Sequence, residues 1–194
     1  MNLLDVGRRT IGRGVFPHQF SWILELPLRR LILSPQSLAI RLALRAEFSV
    51  LEIGPGSGYY SVEVAKQLQA GRLELFDVQE EMLERCRARF VSSGLTNVGY
   101  TVGDGSELPF ADACFDVVYM VTVFGEISDH DGCLRSVRRV LRPGGLLSIS
   151  EHLPDPDFTP LGALTRLAAS RGLRLERQYG SRAAYTANFR PTRP

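Results

Sequence analysis

The sequence predicts an α/β protein in which a mostly parallel sheet is covered by helices on both faces. From about Val50 to Glu151, short apolar runs alternate regularly with amphipathic segments, as in chains whose strands are joined by crossover helices. The run FDVVYMV at 115–121 is almost wholly apolar, which suits a central strand buried on both faces. With 194 residues, 44% of them hydrophobic, the chain is long enough for one well-buried domain.

The elements of this region can be assigned in order along the chain. Apolar, β-rich runs predict five strands, at 49–53, 73–78, 98–102, 115–121 and 146–150. Apolar residues at helical spacing predict helices at 60–68, 82–90 and 134–141. Glycine closes the first two helices, at Gly71 and Gly94, and the RPGG stretch at 142–145 is predicted to break the third.

The two ends of the chain have a different sequence pattern from this central region. After a loop and a helix through 161–167, two strand-like runs at 173–179 and 183–189 flank Gly180 and Ser181, which predicts an antiparallel hairpin at the sheet edge. Residues 1–48 combine aromatic residues and leucines with prolines, and we expect an N-terminal helical cap or lid over a unit formed by 49–194. Ordinary core packing, a substrate lid and membrane contact are the alternatives for this segment, in that order of preference.

Composition disfavours several classes of protein. The 23 basic residues are scattered among 21 acidic ones, for a net charge of +2, so no basic stripe for nucleic acid is present in the sequence. The three cysteines, Cys86, Cys114 and Cys133, lack the spacing of a disulfide framework or a zinc site. We therefore predict a soluble, cytoplasmic protein without a metal, and no apolar run approaches the roughly 18 residues that a membrane span needs. The oligomeric state stays open.

A glycine-rich turn follows the first predicted strand, in VLEIGPGSGYYS at 50–61. Gly54, Gly56 and Gly58 stand at every second position between this strand and the next helix. A turn of this kind lets a ligand approach main-chain amides at the carboxyl end of a parallel sheet, where open α/β folds bind their ligands. Asp77 ends the second strand, 19 residues beyond Gly58, where a carboxylate can accept hydrogen bonds from both hydroxyls of a ribose.

The spacing of the glycines argues against a dinucleotide. The fingerprint G-x-G-x-x-G would require glycine at 59 or 61, and these positions hold Tyr59 and Ser61. The stretch instead reads E-x-G-x-G-x-G, with Glu52 inside the strand just before the turn. A carboxylate there suits a cationic ligand group and would repel a pyrophosphate.

With these motifs the sequence resembles the class I methyltransferases that use S-adenosylmethionine. LEIGPGSG resembles the first motif of that family, LFDVQEEML the second, and VGDGSELPF at 102–110 the third. FDVVYMV and RRVLRPGGLLSI are similar to the later motifs. The resemblance covers nearly all of the segment from Val50 to Glu151. Five motifs that match in the correct order are a more specific signal than any one motif alone. It implies a three-layer Rossmann-like fold with a mostly parallel seven-stranded sheet and a C-terminal antiparallel hairpin.

The resemblance also implies the cofactor and the residues that bind it. Asp77 would bind the ribose, Met82 would lie near the adenine, and Asp104 would bind the adenine amino group beside Gly105 and Ser106. The full set of expected cofactor-binding residues is Glu52, Gly54, Gly56, Gly58, Asp77, Val78, Met82, Asp104, Gly105, Ser106 and Val121. The cofactor would be S-adenosylmethionine, and its product S-adenosylhomocysteine.

The implied reaction is methyl transfer to a small organic acceptor, for which an apolar molecule is one candidate. Because the leaving group is a neutral thioether, such an enzyme needs mainly to align the acceptor and exclude water. Glu126, His152 and His18 are candidates for deprotonating or orienting the acceptor, and each has a structural role as its alternative. Other hypotheses are a cofactor-binding regulatory protein without turnover, a nicotinamide-dependent oxidoreductase, and transfer of an aminopropyl group.

Overall fold

A computed structural model describes residues 33–192. Seven strands form one sheet, in the order β3-β2-β1-β4-β5-β7-β6. The strands are β1 (Ser49–Ile53), β2 (Arg72–Asp77), β3 (Val98–Val102), β4 (Phe115–Val121), β5 (Leu141–His152), β6 (Leu173–Gly180) and β7 (Ala184–Pro191). Strands β1 to β5 are parallel, whereas β7 runs antiparallel to both β5 and β6. The predicted α/β fold with its C-terminal hairpin is confirmed.

Helices cover both faces of this sheet, as the alternation of apolar and amphipathic segments predicted. They are α1 (Pro35–Leu42), α2 (Ser61–Gln67), α3 (Glu80–Ser93), α4 (His130–Val140) and α5 (Leu161–Ser170), with a short 3₁₀ helix at Phe124–Glu126. Successive strand residues point to opposite faces. Val50 therefore packs with α1, α2 and α3 in one cluster, while its neighbour Leu51 packs with α4 and α5 in the other.

The strand β5 begins earlier than the sequence indicated. Helix α4 ends at Val140, and β5 already pairs at Leu141 and continues to His152. The RPGG stretch lies inside β5, where the pairing with β4 shifts its register between Phe115 and Val117. The third helix ends before RPGG, as predicted, and the predicted strand at 146–150 lies within β5. The start of the strand was placed too late, because an irregularity in the β4–β5 pair accommodates the residues between Leu141 and Leu146.

The described part of the N-terminal segment is packed into the core. Ser34 caps α1 by accepting a hydrogen bond from the amide of Ser37, and Leu38 and Leu42 are buried against α2. Nη1 of Arg41 donates to Oγ1 of Thr186 at 2.7 Å. His18 and the rest of residues 1–32 lie outside the described residues, so a cap or lid formed by 1–48 stays a prediction.

Two general properties of residues 33–192 bear on function. No helix in this range is long and apolar enough to cross a membrane. Within the same range, no group of histidine, cysteine and acidic side chains is arranged to hold a metal ion. The three cysteines are free thiols, of which Cys86 and Cys133 are buried.

Candidate active site

A cavity of about 610 Å³ opens at the carboxyl ends of β1, β2 and β4. The chain leaves β1 toward β2 and β3 on one side, and returns to β4 and β5 on the other. Open α/β sheets bind ligands at such a switch point, where loops from adjacent strands diverge and leave a crevice. The volume of this cavity lies within the range of about 300–1,000 Å³ that is typical of small-molecule sites.

The glycine turn forms one wall of the cavity. The amide of Gly54 donates to the carbonyl of Phe76 at 2.8 Å, so pairing between β1 and β2 continues into the turn. Gly54 has φ +68°, and a Cβ atom there would lie 2.5 Å from Cγ2 of Val123. Glycine is therefore required at this position by both the backbone conformation and the close approach of the loop after β4.

Gly58 has a different position from the other two glycines of the turn. It does not line the cavity, whereas Gly54 and Gly56 do. A Cβ atom at Gly58 would meet Sγ of Cys86 on α3 at 3.2 Å, and its φ is +78°. The third glycine thus lets α3 pack closely against the turn, and its place in the predicted cofactor-binding set stays a prediction.

Glu52 presents a buried carboxylate below the turn. It is 2% exposed and lines the cavity, and Oγ of Ser61 donates to its Oε2 at 2.5 Å. Burial raises the pKa of Glu52 to about 7, against the lowering effect of contacts with Ser61 and Tyr119, and nearby Asp77 adds a small rise. Glu52 and Tyr119 occupy matching positions in β1 and β4.

Asp77 stands at the end of β2 on the same cavity wall and is 8% exposed. The amide of Gln79 donates to its Oδ1 at 2.9 Å. Burial raises the pKa of Asp77 to about 6, while hydrogen bonds from the amides of Gln79, Val78 and Gly56 lower it. The Gly56 contact joins this carboxylate to the glycine turn, so the two motifs that the sequence singled out meet in space.

Ser57 supplies an unsatisfied polar group in the turn. Its Oγ is buried and has no hydrogen-bond partner within the described residues, although Ser57 lines the cavity. Buried hydroxyls in native proteins are nearly always hydrogen-bonded, so this atom is suited to a polar ligand. The glycine turn, the Ser57 hydroxyl and the two buried carboxylates together fit S-adenosylmethionine, which carries a ribose and two cationic groups.

The outer end of the cavity carries the residues expected near an adenine. Val78, Met82, Asp104 and Gly105 line it. Ser106 does not, and its amide instead donates to Oδ1 of Asp104 at 2.8 Å. This amide, with the Ser106 hydroxyl, lowers the pKa of Asp104. The predicted set at this end is therefore brought together, with Ser106 acting on the Asp104 side chain from outside the lining.

The loop after β4 forms the opposite wall. Val121 lines the cavity at the end of β4, and Glu126 lines it from the 3₁₀ helix. His152 ends β5 and does not line the cavity, while His18 lies outside the described residues. Of the three candidates for handling an acceptor, Glu126 is the one that the structure places beside the cavity.

Several cavity residues were not predicted from the sequence. Tyr59 and Tyr60 follow the turn and line the cavity, with their rings 4.9 Å apart in an edge-to-face arrangement. His130 also lines it, and its ring stacks on Phe124 at 4.6 Å. The aromatic pair directly after the last glycine was a usable signal, because residues entering the helix after such a turn face the ligand. No comparable signal marks His130.

The chain is similar to known methyltransferases in sequence and in fold. A family model described as a methyltransferase domain matches residues 50–145. The ubiquinone/menaquinone biosynthesis C-methyltransferase UbiE of Haemophilus ducreyi is 33% identical over 117 residues, which are 59% of this chain and 45% of that protein. The UbiE of Vibrio vulnificus is 35% identical over 114 residues, 58% of this chain and 44% of that protein. The chain thus spans less than half the length of these relatives.

A solved structure supports the fold over a longer stretch. A SAM-dependent methyltransferase from Aquifex aeolicus superposes with a TM-score of 0.83 and covers 90% of this chain and 98% of its own, at 23% identity. At 23% identity, this structural similarity shows a shared fold and nothing more. Combined with the matching family model and relatives, it shows that the chain belongs to the class I S-adenosylmethionine-dependent methyltransferase family.

Proposed function

We propose that this protein transfers a methyl group from S-adenosylmethionine to a small organic acceptor. The proposal rests on one observation: the glycine turn, Glu52 and Asp77 line the same cavity. The proposal includes a cytoplasmic location and no nucleic-acid partner, as the composition predicts. Membrane contact is the less favoured alternative.

The ribose, the cationic end and the adenine of the cofactor each have a matching group in the chain. Asp77 would accept from the ribose hydroxyls with the acceptor capacity that the amides of Gln79, Val78 and Gly56 leave, since a carboxylate has roughly four acceptor sites. Glu52 would face the cationic end, because its carboxylate is buried beneath the turn. Asp104 and Met82 would lie against the adenine at the outer end. Gly54 and Gly56 would let the ligand approach the main chain.

When bound, the cofactor supplies a methyl group activated by a sulfonium and leaves as a neutral thioether. The chain's own residues therefore need to hold the acceptor in line and exclude water, and a dedicated base is optional. The loop from Thr122 to Ile127 forms the wall from which an acceptor would approach. Glu126 is the side chain in this loop with the chemistry to orient a donor group on the acceptor.

Titration calorimetry with S-adenosylmethionine and S-adenosylhomocysteine tests the cofactor site. We expect Asp77→Ala to weaken binding by about ten- to a hundredfold, because hydrogen bonds to a charged acceptor are lost. Asp112→Ala is the matched control, since Asp112 forms a surface ion pair with Arg139 at 2.7 Å away from the cavity. Wild-type protein that binds neither compound would contradict the proposal.

Turnover separates the enzyme from a regulatory protein with the same pocket. We expect release of S-adenosylhomocysteine when wild-type protein is incubated with S-adenosylmethionine and an effective acceptor. An NADH fluorescence titration tests the alternative of a nicotinamide-dependent oxidoreductase. Tight NADH binding together with no binding of S-adenosylmethionine would favour a nicotinamide-dependent enzyme instead.

A further inference from the structure

Two of the residues that line the cavity carry a buried polar atom with no hydrogen-bond partner among residues 33–192. They are Ser57, through its Oγ, and His130, through its Nε2. Ser57 belongs to the glycine turn on the cofactor wall, whereas His130 follows the loop after β4 on the opposite wall. Because buried polar atoms in native proteins are nearly always hydrogen-bonded, His130 indicates a ligand group that the cofactor assignment leaves unexplained.

The start of α4 fixes the backbone of His130. His130 is the first residue of this helix, and the side chain of Asp129 caps the helix by accepting a hydrogen bond from the amide of Gly132 at 2.8 Å. Further along the helix, Oγ of Ser136 donates to the carbonyl of Ser106 at 3.1 Å. Helix α4 is thus tied to the loop after β3, and the imidazole leaves it at a fixed position on the cavity wall.

The ring of His130 is held by a buried neighbour. It stacks on the ring of Phe124, with the centroids 4.6 Å apart and an angle of 18° between the planes. Phe124 is fully buried in the core cluster that includes residues of α4 and α5. One face of the imidazole is therefore covered, and its nitrogens remain at the edge of a ring that loses little conformational freedom when it binds a ligand.

The surroundings of His130 restrict the ligand. Val121, Val123 and Ile127 line the cavity on the same wall, and they favour a ligand with an apolar skeleton. The charged side chains of the lining are acidic, and no lysine or arginine is among its described residues. A carboxylate or phosphate on the acceptor would be repelled and would find no described cation to pair with.

The chemistry of imidazole favours a hydroxyl as the partner of Nε2. In a neutral imidazole one nitrogen donates and the other accepts, so Nε2 is a donor in one tautomer and an acceptor in the other. A hydroxyl both donates and accepts, and it can therefore pair with Nε2 in either tautomer. An ammonium group can only donate, and a carboxylate can only accept.

We propose that His130 is an acceptor-binding residue, whose Nε2 forms a hydrogen bond with a hydroxyl group on an otherwise apolar methyl acceptor. This inference rests on the proposed function, since it assigns the acceptor side of the same cavity. The hydrogen bond fixes the orientation of the acceptor, and the apolar side chains of the wall select its shape. A single bound orientation is what in-line transfer of a methyl group requires.

NMR of the imidazole nitrogens tests this contact directly, with protein that carries ¹⁵N-labelled histidine at pH 8, where an ordinary imidazole is neutral. The chain has three histidines, and the His130 signals are those missing from His130→Phe. In protein saturated with S-adenosylhomocysteine, we expect phenol to shift the Nε2 signal of His130. Toluene, which has a similar shape without the hydroxyl, should shift it much less. An Nε2 signal that phenol does not move would overturn the proposal.

The signals of His152 are an internal control in these spectra. His152 ends β5 and does not line the cavity, so neither probe should move its signals through direct contact. A phenol response of equal size at His152 and His130 would show a general effect of the solvent and would count against the assignment.

Variants measure the hydrogen bond by calorimetry. His130→Phe keeps an aromatic ring beside Phe124 and removes both nitrogens, so we expect the ratio of phenol affinity to toluene affinity to fall about fivefold or more. His130→Gln restores a polar side-chain end and should recover part of this ratio. Ser93→Ala removes a hydroxyl on the exposed side of α3 and should leave the ratio unchanged. A merely structural role would weaken both probes equally, and an unchanged ratio in His130→Phe would overturn the assignment.

Binding of S-adenosylhomocysteine separates this inference from the proposed function. Its failure to bind the wild type would contradict the proposed function, whereas a phenol-dependent shift of His130 in cofactor-free protein would still support the hydroxyl site. Cofactor binding without a phenol response would refute the hydroxyl site and leave the cofactor site standing. A loss of S-adenosylhomocysteine affinity in His130→Phe as large as that expected for Asp77→Ala would place His130 in the cofactor site and overturn the inference.

Discussion

The Ser61 hydroxyl donates a 2.5 Å hydrogen bond to Oε2 of Glu52, which ties the first residue of α2 to a carboxylate inside β1. Both side chains are buried, so the bond forms where water cannot replace it. Its consequence is electrostatic: the hydrogen bond favours the ionised carboxylate, whereas burial favours the protonated one. The balance leaves the pKa of Glu52 at about 7.

Replacing Ser61 by alanine should therefore make cofactor binding more sensitive to pH. Loss of the hydrogen bond raises the pKa of Glu52 above its value of about 7, so less of the carboxylate is ionised at neutral pH. We expect S-adenosylmethionine to bind Ser61→Ala at least several-fold more weakly at pH 7, since one hydrogen bond to a charged group contributes about 1.5–3 kcal/mol. Calorimetry from pH 6.5 to 9 measures this, and the two proteins should converge at the alkaline end.

Ser92→Ala is the control for this experiment, because the Ser92 hydroxyl bonds to the Ala88 carbonyl on the exposed side of α3. It should bind S-adenosylmethionine like the wild type at every pH. A loss of affinity in Ser61→Ala that is equally large at pH 6.5 and pH 9 would show that Ser61 acts by packing and not through the ionisation of Glu52.

The close contact between Gly54 and Val123 yields a second prediction. Gly54→Ala places a Cβ atom at φ +68° and 2.5 Å from Cγ2 of Val123. The left-handed conformation costs a non-glycine residue about 1–2 kcal/mol, and overpacking adds about 1–3 kcal/mol. We expect the free energy of unfolding, measured with urea, to fall by the sum of these, and affinity for S-adenosylhomocysteine to fall as the turn shifts.

Gly94→Ala separates the two contributions. Gly94 has φ +67°, and nothing lies within 4 Å of a Cβ atom built there. This variant should show the conformational cost alone and keep its ligand affinity. Combining Gly54→Ala with Val123→Ala removes the two nearest methyl groups and should restore part of the stability. Equal destabilisation by Gly54→Ala and Gly94→Ala would mean that the contact with Val123 carries no energy.

The cofactor end of the site could be predicted from the sequence because its signals are local. Gly54 and Gly56 belong to one short motif, and Asp77 ends the strand that follows the next helix. In a parallel sheet the carboxyl ends of adjacent strands share an edge, so these residues had to meet near one another. The hairpin of β6 and β7 was equally local, since its turn lies between two apolar runs.

The residues at the acceptor side of the cavity come together through long-range contacts, which no local sequence pattern predicts. The loop carrying Asp155 and Asp157 folds back against Gly125, a contact between residues about thirty positions apart. Whether β5 began at 141 or at 146 depended on how its register with β4 shifts, and a register shift leaves little trace in composition. The sequence showed the acids of this region, but the proximity of Glu126 to the others is a property of the folded chain.

Helix α1 is tied to the sheet by a buried threonine, which gives a third prediction. Oγ1 of Thr186 accepts from Nη1 of Arg41 at 2.7 Å and lies 2.8 Å from Oγ of Ser150. Thr186→Val keeps the shape of the side chain and leaves both partners without this oxygen. We expect a loss of about 1–3 kcal/mol in the free energy of unfolding. Thr192→Val alters an exposed hydroxyl and should change stability by less than about 0.5 kcal/mol.

The buried carboxyl of Glu151 sets the direction of a pH effect on stability. In the folded chain its pKa is about 8, against an ordinary value of 4.5, so the folded state holds a proton that the unfolded state releases. Stability is therefore unaffected below pH 4.5, falls as pH rises toward 8, and carries the full penalty above that. Glu151→Gln cannot ionise, and should match the wild type at pH 5 and exceed its free energy of unfolding at pH 9.

Urea unfolding of both proteins at pH 5, 7 and 9 measures this difference, with Glu84→Gln on the exposed side of α3 as the control. Glu52 and Asp77 also have raised pKa values, so both proteins should lose stability with rising pH, and the difference between them isolates Glu151. A variant that is less stable than the wild type at pH 9 would mean that the ionised Glu151 already has a favourable partner in the folded chain.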